Sequence, residues 1–257
     1  MSHDLTSAEL KQRIADKTWF YRFELPDGTQ TKRYEDGALD PIHDTRLSML
    51  DDALNDCWPN GVTGKSALDI ACHQGYFSVE LAKRGFEPIT AVDARADHIE
   101  DVKLITAGVG QPQIRAQQCD VHALSTEAVG GPFDLVLCFG LLYHLENPIG
   151  ALRRAREMCS GLCVVETQVV PNMSGPVDWG SYRYVKPLMG SFGIIDETYE
   201  THGMEASVTG ICLAPSTEGL MWIMEKVGFR DVKLLKCPED GYEQLRFGKR
   251  VMVSGRV

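Results

Sequence analysis

Ser66–Gly85 reads SALDIACHQGYFSVELAKRG. An apolar run, Ala67, Leu68, Ile70 and Ala71, ends in a tight turn closed by Gly75. Tyr76, Phe77, Val79, Leu81 and Ala82 then alternate with charged residues at helical spacing. Strand, turn and helix in that order open a doubly wound α/β sheet. Asp69 lies inside the strand, just ahead of the turn. The next apolar run, Pro88–Val92, ends in Asp93, where an acid would accept the ribose hydroxyls of a nucleoside. The dinucleotide fingerprint G-x-G-x-x-G, aligned on Gly75, would need glycines at positions 70 and 72. Ile70 and Cys72 stand there instead, and their side chains would keep a pyrophosphate from the backbone N–H groups. A nucleotide without a phosphate fits this turn better than a nicotinamide dinucleotide.

The alternation continues outward on both sides. Gln113–Cys119 reads as a third strand ending at Asp120, with Val121 and His122 next. Phe133–Phe139 is an apolar central strand that runs into Gly140-Leu141-Leu142-Tyr143-His144. Asn147-Pro148 opens a helix from about Ile149 to Met158, and Gly161–Glu166 is a fifth strand. Residues 167–213 break the pattern with prolines, glycines and aromatics. A connection of that length is expected to be functional, and it reads as a lid. Pro215–Gly228 is a helix with Leu220, Ile223, Met224 and Val227 on one stripe. Phe229–Leu235 and Leu245–Val253 close the sheet as an antiparallel pair. Upstream, residues 1–17 read as a polar helix with Ser7 as N-cap, and a helix spans about Asp44–Leu54. Between them the aromatic run Trp19–Phe23 either plugs the helix onto the domain or forms a wall of the substrate pocket.

The expected fold is α/β: a Rossmann-like, seven-stranded, mostly parallel sheet with helices on both faces. An N-terminal helical and aromatic extension (residues 1–60) precedes a domain at 61–257 that carries the inserted lid. Asp69-x-Ala71-x-x-x-Gly75 resembles a weakened D/E-x-G-x-G-x-G motif of the class I S-adenosylmethionine-dependent methyltransferases. F-D-x-V at Phe133 followed by H-x-x-x-P at His144 is a second point of likeness. Within that superfamily GLLYHLENPIGALRRA, VVET and APSTEGLMWIMEKVGF look most similar to the tRNA wobble-uridine carboxymethyltransferases. Members of that branch use carboxy-S-adenosylmethionine and hold its carboxylate with cationic and Tyr side chains. Tyr143 matches the tyrosine, but no lysine ahead of the sheet can be matched.

The resemblance implies S-adenosylmethionine as cofactor. Its site would be Asp69, Ala71, Cys72, His73, Gly75, Tyr76 and Phe77 at the first turn, and Asp93, Ala94 and Arg95 at the second. Asp120, Val121 and His122 would follow at the third, with the acid against the adenine amino group, and Cys138, Phe139 and Gly140 at the fourth. Methyl transfer needs nucleophile, methyl and sulfur collinear, and an oxygen nucleophile needs a base within reach. His144, with Tyr143 beside it, is the candidate base or orienter, since an imidazole titrates near neutral pH. A structural histidine that caps the loop is the competing reading. Trp19, Tyr21, Trp179, Tyr182, Arg183 and Arg246 are candidates for binding the acceptor.

A net charge of −10 disfavours broad contact with nucleic acid. The expected partner is therefore a small-molecule acceptor, methylated at oxygen, with nitrogen or sulfur as alternatives. The eight cysteines include no C-x-x-C pair and read as reduced thiols. No cluster has metal-ligand spacing, so no metal is expected. No run is long enough to span a bilayer and no leader pattern stands at the start, so a cytoplasmic monomer or homodimer is expected. Carboxymethyl transfer to a tRNA uridine, a non-catalytic cofactor-binding protein and a nicotinamide oxidoreductase are the competing functions.

Overall fold

Strand residues alternate between two packing layers, because successive side chains point to opposite faces of a sheet. Leu135, Leu137 and Phe139 join one buried cluster and Val136 and Cys138 the other. The computed structural model describes residues 6–177, 186–197, 207 and 209–257. Its main sheet has seven strands: β1 (Ala67–Ile70), β2 (Ile89–Asp93), β3 (Ile114–Gln118), β4 (Phe133–Phe139), β5 (Cys159–Gln168), β10 (Arg230–Leu234) and β11 (Arg250–Arg256). Their order is β10-β11-β5-β4-β1-β2-β3. β3, β2, β1, β4 and β5 run parallel, and β11 is antiparallel to both of its neighbours. The parallel strands therefore end along one edge, with the order reversing between β1 and β4, where α/β sheets bind ligands.

Helix α1 (Ser7–Ala15) packs on α4 (Ala96–Gly108); α2 (Asp40–Cys57) and α3 (Tyr76–Lys83) cover the same layer. The short α5 (Thr126–Val129), α6 (Pro148–Met158) and the helix Thr217–Lys226 cover the other. The sequence reading is corrected at three boundaries. Thr6, not Ser7, caps α1, because only Thr6 has a glutamate three residues on: Thr6 Oγ1 accepts from Glu9 N, and the Glu9 carboxylate accepts from Thr6 N. α2 begins at Asp40, not Asp44, since Pro41 sits in the first turn, where its missing N–H is no loss. Leu245 belongs to a short helix, Glu243–Arg246, and the last strand starts only at Arg250.

The segment after β5 is not loop throughout. β6 (Gly175–Val177) pairs with β7 (Lys186–Leu188), and β8 (Phe192–Asp196) with β9 (Ile211–Pro215), each as an antiparallel ribbon. Leu213 N donates to Leu145 O at 3.0 Å and ties β9 to the loop after β4.

Trp19 has no exposed surface, and its Nε1–H donates to Ile14 O at 3.0 Å. It is the plug that seats the N-terminal segment, in one cluster with Ile14, Phe23, Ile105 and Val102. Trp19→Ala is expected to lower unfolding free energy by about 3–5 kcal/mol in urea titration. A loss below about 1 kcal/mol would contradict its place in the core.

Candidate cofactor and acceptor site

A cavity of about 1060 Å³ opens along the carboxyl edge of the parallel strands. Asp69, Asp93 and Asp120 all line it, as do Ala71, Cys72, His73, Phe77, Ala94, Arg95, His122, Phe139, Gly140, Tyr143 and His144. Tyr21 joins them from the N-terminal segment.

The turn after β1 carries strain. Ala71 has φ 57°, His73 50° and Gly75 81°. Those are the three glycine positions of D-x-G-x-G-x-G counted from Asp69. The backbone is left-handed at all three places although alanine and histidine occupy two of them, at a cost of order 1–3 kcal/mol each. At Gly75 a Cβ would also meet the Val102 methyls at 3.1 Å. The turn wraps around Asp93: His73 N donates to Asp93 Oδ2 at 3.0 Å, Arg95 N donates to Oδ1 at 2.9 Å, and His98 Nδ1 lies 3.2 Å from Oδ2. Burial alone would push Asp93 up, but His98 and the backbone donors outweigh it and hold the carboxyl below the usual range. Asp69 is buried and accepts from Ser78 Oγ at 2.7 Å. Burial, opposed by that hydroxyl and reinforced by Asp93, pushes it up to about 7. Asp120 is more open, accepts from His122 N at 2.8 Å, and lies 3.2 Å from His122 Nδ1.

The opposite wall is built from α2, the loop after β4, the end of β5 and the start of β11. Glu166, wholly buried near the end of β5, accepts from Arg46 Nη2 at 2.9 Å and Arg250 Nη1 at 3.1 Å. Gly140 N–H is shared between the carbonyl and the carboxylate of Glu166, each at 3.0 Å. Arg250 Nη2 donates to Tyr143 Oη at 2.8 Å. Burial would raise Glu166, but the two guanidiniums outweigh it and hold it low. Burial raises Tyr143. Burial, with the Arg46 charge beside it, lowers His43 to about 2, so its imidazole is neutral. His144 Nδ1 lies 2.6 Å from Glu197 Oε2, a buried carboxylate just past the end of β8.

Several expected residues fall elsewhere. Gly75, Tyr76, Val121 and Cys138 do not line the cavity. Cys138 follows strand parity into the far layer, and Val121 packs there too. Tyr76 stacks on Tyr21 with centroids 5.0 Å apart and supports the wall from behind. Trp19 is core. Arg246 lines a separate pocket of about 680 Å³ behind Arg250 and lies over the Phe247 ring. Trp179, Tyr182 and Arg183 lie outside the described residues. The sequence reading passed over His43, Arg46, His98, Glu166, Gln168, Glu197, Tyr242 and Gln244. Arg46 and His43 on the apolar stripe of α2, and Glu166 inside a strand, were visible signals, since charges are rarely buried without a partner.

Residues 42–234 match the methyltransferase domain family. The chain belongs to that family. This agrees with the resemblance to the class I S-adenosylmethionine-dependent methyltransferases carried by the Asp69 turn, and S-adenosylmethionine is the cofactor of such domains. A tRNA U34 carboxymethyltransferase of Desulfotalea psychrophila is 27% identical over 175 residues, 66% of this chain and 47% of its own length. A ubiquinone biosynthesis O-methyltransferase of Psychrobacter cryohalolentis is 29% identical over 110 residues, 42% of each chain. The chain thus spans less than half the length of either of these curated relatives. Among solved structures, the N-terminal domain of EvdMO1 with SAH bound superposes with a TM-score of 0.69 at 21% identity, over 100% of this chain and 99% of that one. Magnesium protoporphyrin IX methyltransferase of Synechocystis with bound SAH gives 0.54 at 14% identity, over 87% and 88%. Both show the fold.

The residues present fit this cofactor and not a dinucleotide. Four acids, Asp69, Asp93, Asp120 and Glu146, line the cavity beside three arginines, and the acids at the ends of β1 and β2 suit a cationic sulfonium better than a pyrophosphate. No metal-ligating cluster occurs among the described residues, and none of their helices is long and apolar enough to cross a membrane.

With Asp69 pushed up to about 7, a cationic donor selects its ionised form, so donor affinity is expected to rise with pH. Calorimetry should find S-adenosylmethionine bound roughly tenfold more weakly at pH 6 than at pH 8. In Asp69→Asn that component should vanish. An equal pH dependence in the two proteins would contradict the assignment.

Proposed function

We propose that the protein transfers the methyl group of S-adenosylmethionine to an oxygen of a small-molecule acceptor. The observation that carries this reading is that one cavity joins two unlike walls. The wall at the ends of β1, β2 and β3 is acidic and holds the donor. The wall from α2, Tyr143, His144 and Arg250 offers the neutral imidazole of His43, the His144 ring, a phenol and guanidiniums, and holds the acceptor. Bound there, S-adenosylmethionine supplies an electrophilic methyl on a positively charged sulfur. The chain's own part is placement. Asp93 receives the ribose hydroxyls with an ionised carboxylate, and Phe77 and Phe139, edge to face at 4.9 Å, wall the middle of the cavity. His144 takes the acceptor proton, as a group on the loop after β4 that lines the acceptor wall. The solved neighbour EvdMO1, whose N-terminal domain was also crystallised in the presence of SAH and D-fucose, and the O-methyltransferase relatives support a hydroxyl-bearing acceptor.

A second reading is carboxymethyl transfer from carboxy-S-adenosylmethionine to a tRNA uridine. The Arg250–Tyr143 contact at the cavity and the relatives named for that activity favour it. Against it, Glu166 already engages both buried arginines. A net charge of −10 also gives little purchase on a phosphate backbone.

Calorimetry with S-adenosylmethionine, its carboxy analogue and NAD separates these readings, and mass spectrometry of metabolite extracts incubated with labelled donor then finds the acceptor. Tight binding of S-adenosylmethionine alone is the expected result. Binding of neither sulfonium would end the enzyme reading. Asp93→Ala should weaken S-adenosylmethionine affinity by about tenfold or more, because it strands the ribose hydroxyls and also the His73 and Arg95 N–H groups. An unchanged dissociation constant would refute the role of Asp93.

A further inference from the structure

Among the described residues, the segment after β5 reaches back to His144 through the Glu197 carboxylate. Glu197 has 1% of its surface exposed, and its Oε2 lies 2.6 Å from His144 Nδ1. The same oxygen accepts from Ser207 N at 3.0 Å and Cys212 Sγ at 3.4 Å. Glu197 N donates to Gly210 O at 3.1 Å. The carboxylate is therefore fixed from the far end of its own ribbon and does not follow the ring. The ring is held too: His144 N donates to Leu141 O at 2.9 Å, and Tyr143 lies against it with centroids 4.1 Å apart.

We propose that Glu197 is the positioning residue of a histidine–carboxylate pair that readies His144 to deprotonate an alcohol. This rests on the methyl-transfer reading and deepens it. A carboxylate at Nδ1 fixes the neutral imidazole as its Nδ1–H tautomer, which makes Nε2 the basic nitrogen. When the acceptor oxygen forms its bond to the methyl, the sulfonium carbon–sulfur bond breaks and its electron pair stays on sulfur. The hydroxyl proton passes to Nε2, and the imidazolium so formed sits beside the Glu197 charge. Such a pair matters for a nucleophile that still holds its proton at neutral pH. An aliphatic hydroxyl does and must lose it to attack; a thiolate has already lost it, and a free amine attacks through its lone pair. The acceptor class that follows is an alcohol. It also follows that the base is complete only when the ribbon from β8 to β9 is seated on the loop after β4.

The test is nitrogen-15 and proton NMR of the full chain labelled at histidine, saturated with S-adenosylhomocysteine, with His144 assigned by His144→Gln. The wild type should show neutral His144 protonated at Nδ1, with that proton far downfield, as expected of a hydrogen bond to a charged acceptor. In Glu197→Gln the proton should move upfield. In Glu197→Ala the ring should turn over to the Nε2–H tautomer. Affinity for S-adenosylhomocysteine should stay within about twofold in both variants, since neither touches the acidic wall; should Glu197→Ala not fold, Glu197→Gln decides alone. A carboxylate that only pins the ribbon would leave the His144 signals unchanged, and that result overturns the proposal. An Nε2–H ring in the wild type overturns it as well. Failure of the wild type to bind S-adenosylhomocysteine would instead count against the methyltransferase reading, and the tautomer would still be read in the ligand-free protein.

Discussion

The site hangs on a carboxylate with no access to water. Glu166, near the end of β5, gathers a guanidinium from α2, another from β11 and the first N–H after β4. Those elements are distant in sequence and would not otherwise share a wall. A buried charge is tolerated only when paired and hydrogen-bonded, so each partner is obliged to be where it is. Arg250, once held, reaches Tyr143, and the loop that carries Tyr143 also carries His144. The position of the candidate base is thus set through the ion cluster beneath it, and from above by Glu197.

The two walls divide the chemistry by charge. At the ends of β1, β2 and β3 the acids are stabilised to different degrees. Asp93 is supplied with several N–H donors and stays ionised; Asp69, hydrogen-bonded by Ser78, is pushed up to about 7 by burial. The strained turn through Ala71 and His73 is what aims the His73 N–H at Asp93. Across the cavity, burial and the neighbouring Arg46 keep His43 uncharged, and Glu166 compensates the Arg46 and Arg250 guanidiniums. A donor that is positive and an acceptor that is neutral or electron-rich are the natural occupants of such a cleft.

Much of this was legible in the sequence. Four of the five parallel strands were written largely in apolar runs, with β3 (IRAQQ) the exception, and the acids at or just past the ends of β1, β2 and β3 placed Asp69, Asp93 and Asp120 on one edge. Gly140, Tyr143 and His144 followed from the loop after the central strand. What escaped depends on contacts between remote residues. Arg46 and Glu166 are 120 positions apart, and neither makes sense without the other. Glu197 lies in a segment with no apolar period to place it. Cys138 was assigned to the cavity although parity with Phe139, which does line it, sends its side chain to the other layer. Trp19 illustrates the limit of composition: an aromatic run marks a buried junction as readily as a ligand wall, and only packing distinguishes them.

The dependence of the whole wall on Glu166 is open to a direct measurement. Urea unfolding of Glu166→Gln, followed by circular dichroism and compared with the wild type, removes the charge while nearly preserving the shape. Two buried guanidiniums would then lack their counter-ion, and a loss of about 3–5 kcal/mol is the predicted result. A variant as stable as the wild type to within about 1 kcal/mol would show that α2, β5 and β11 are assembled by apolar packing alone, and would contradict the central place of that carboxylate.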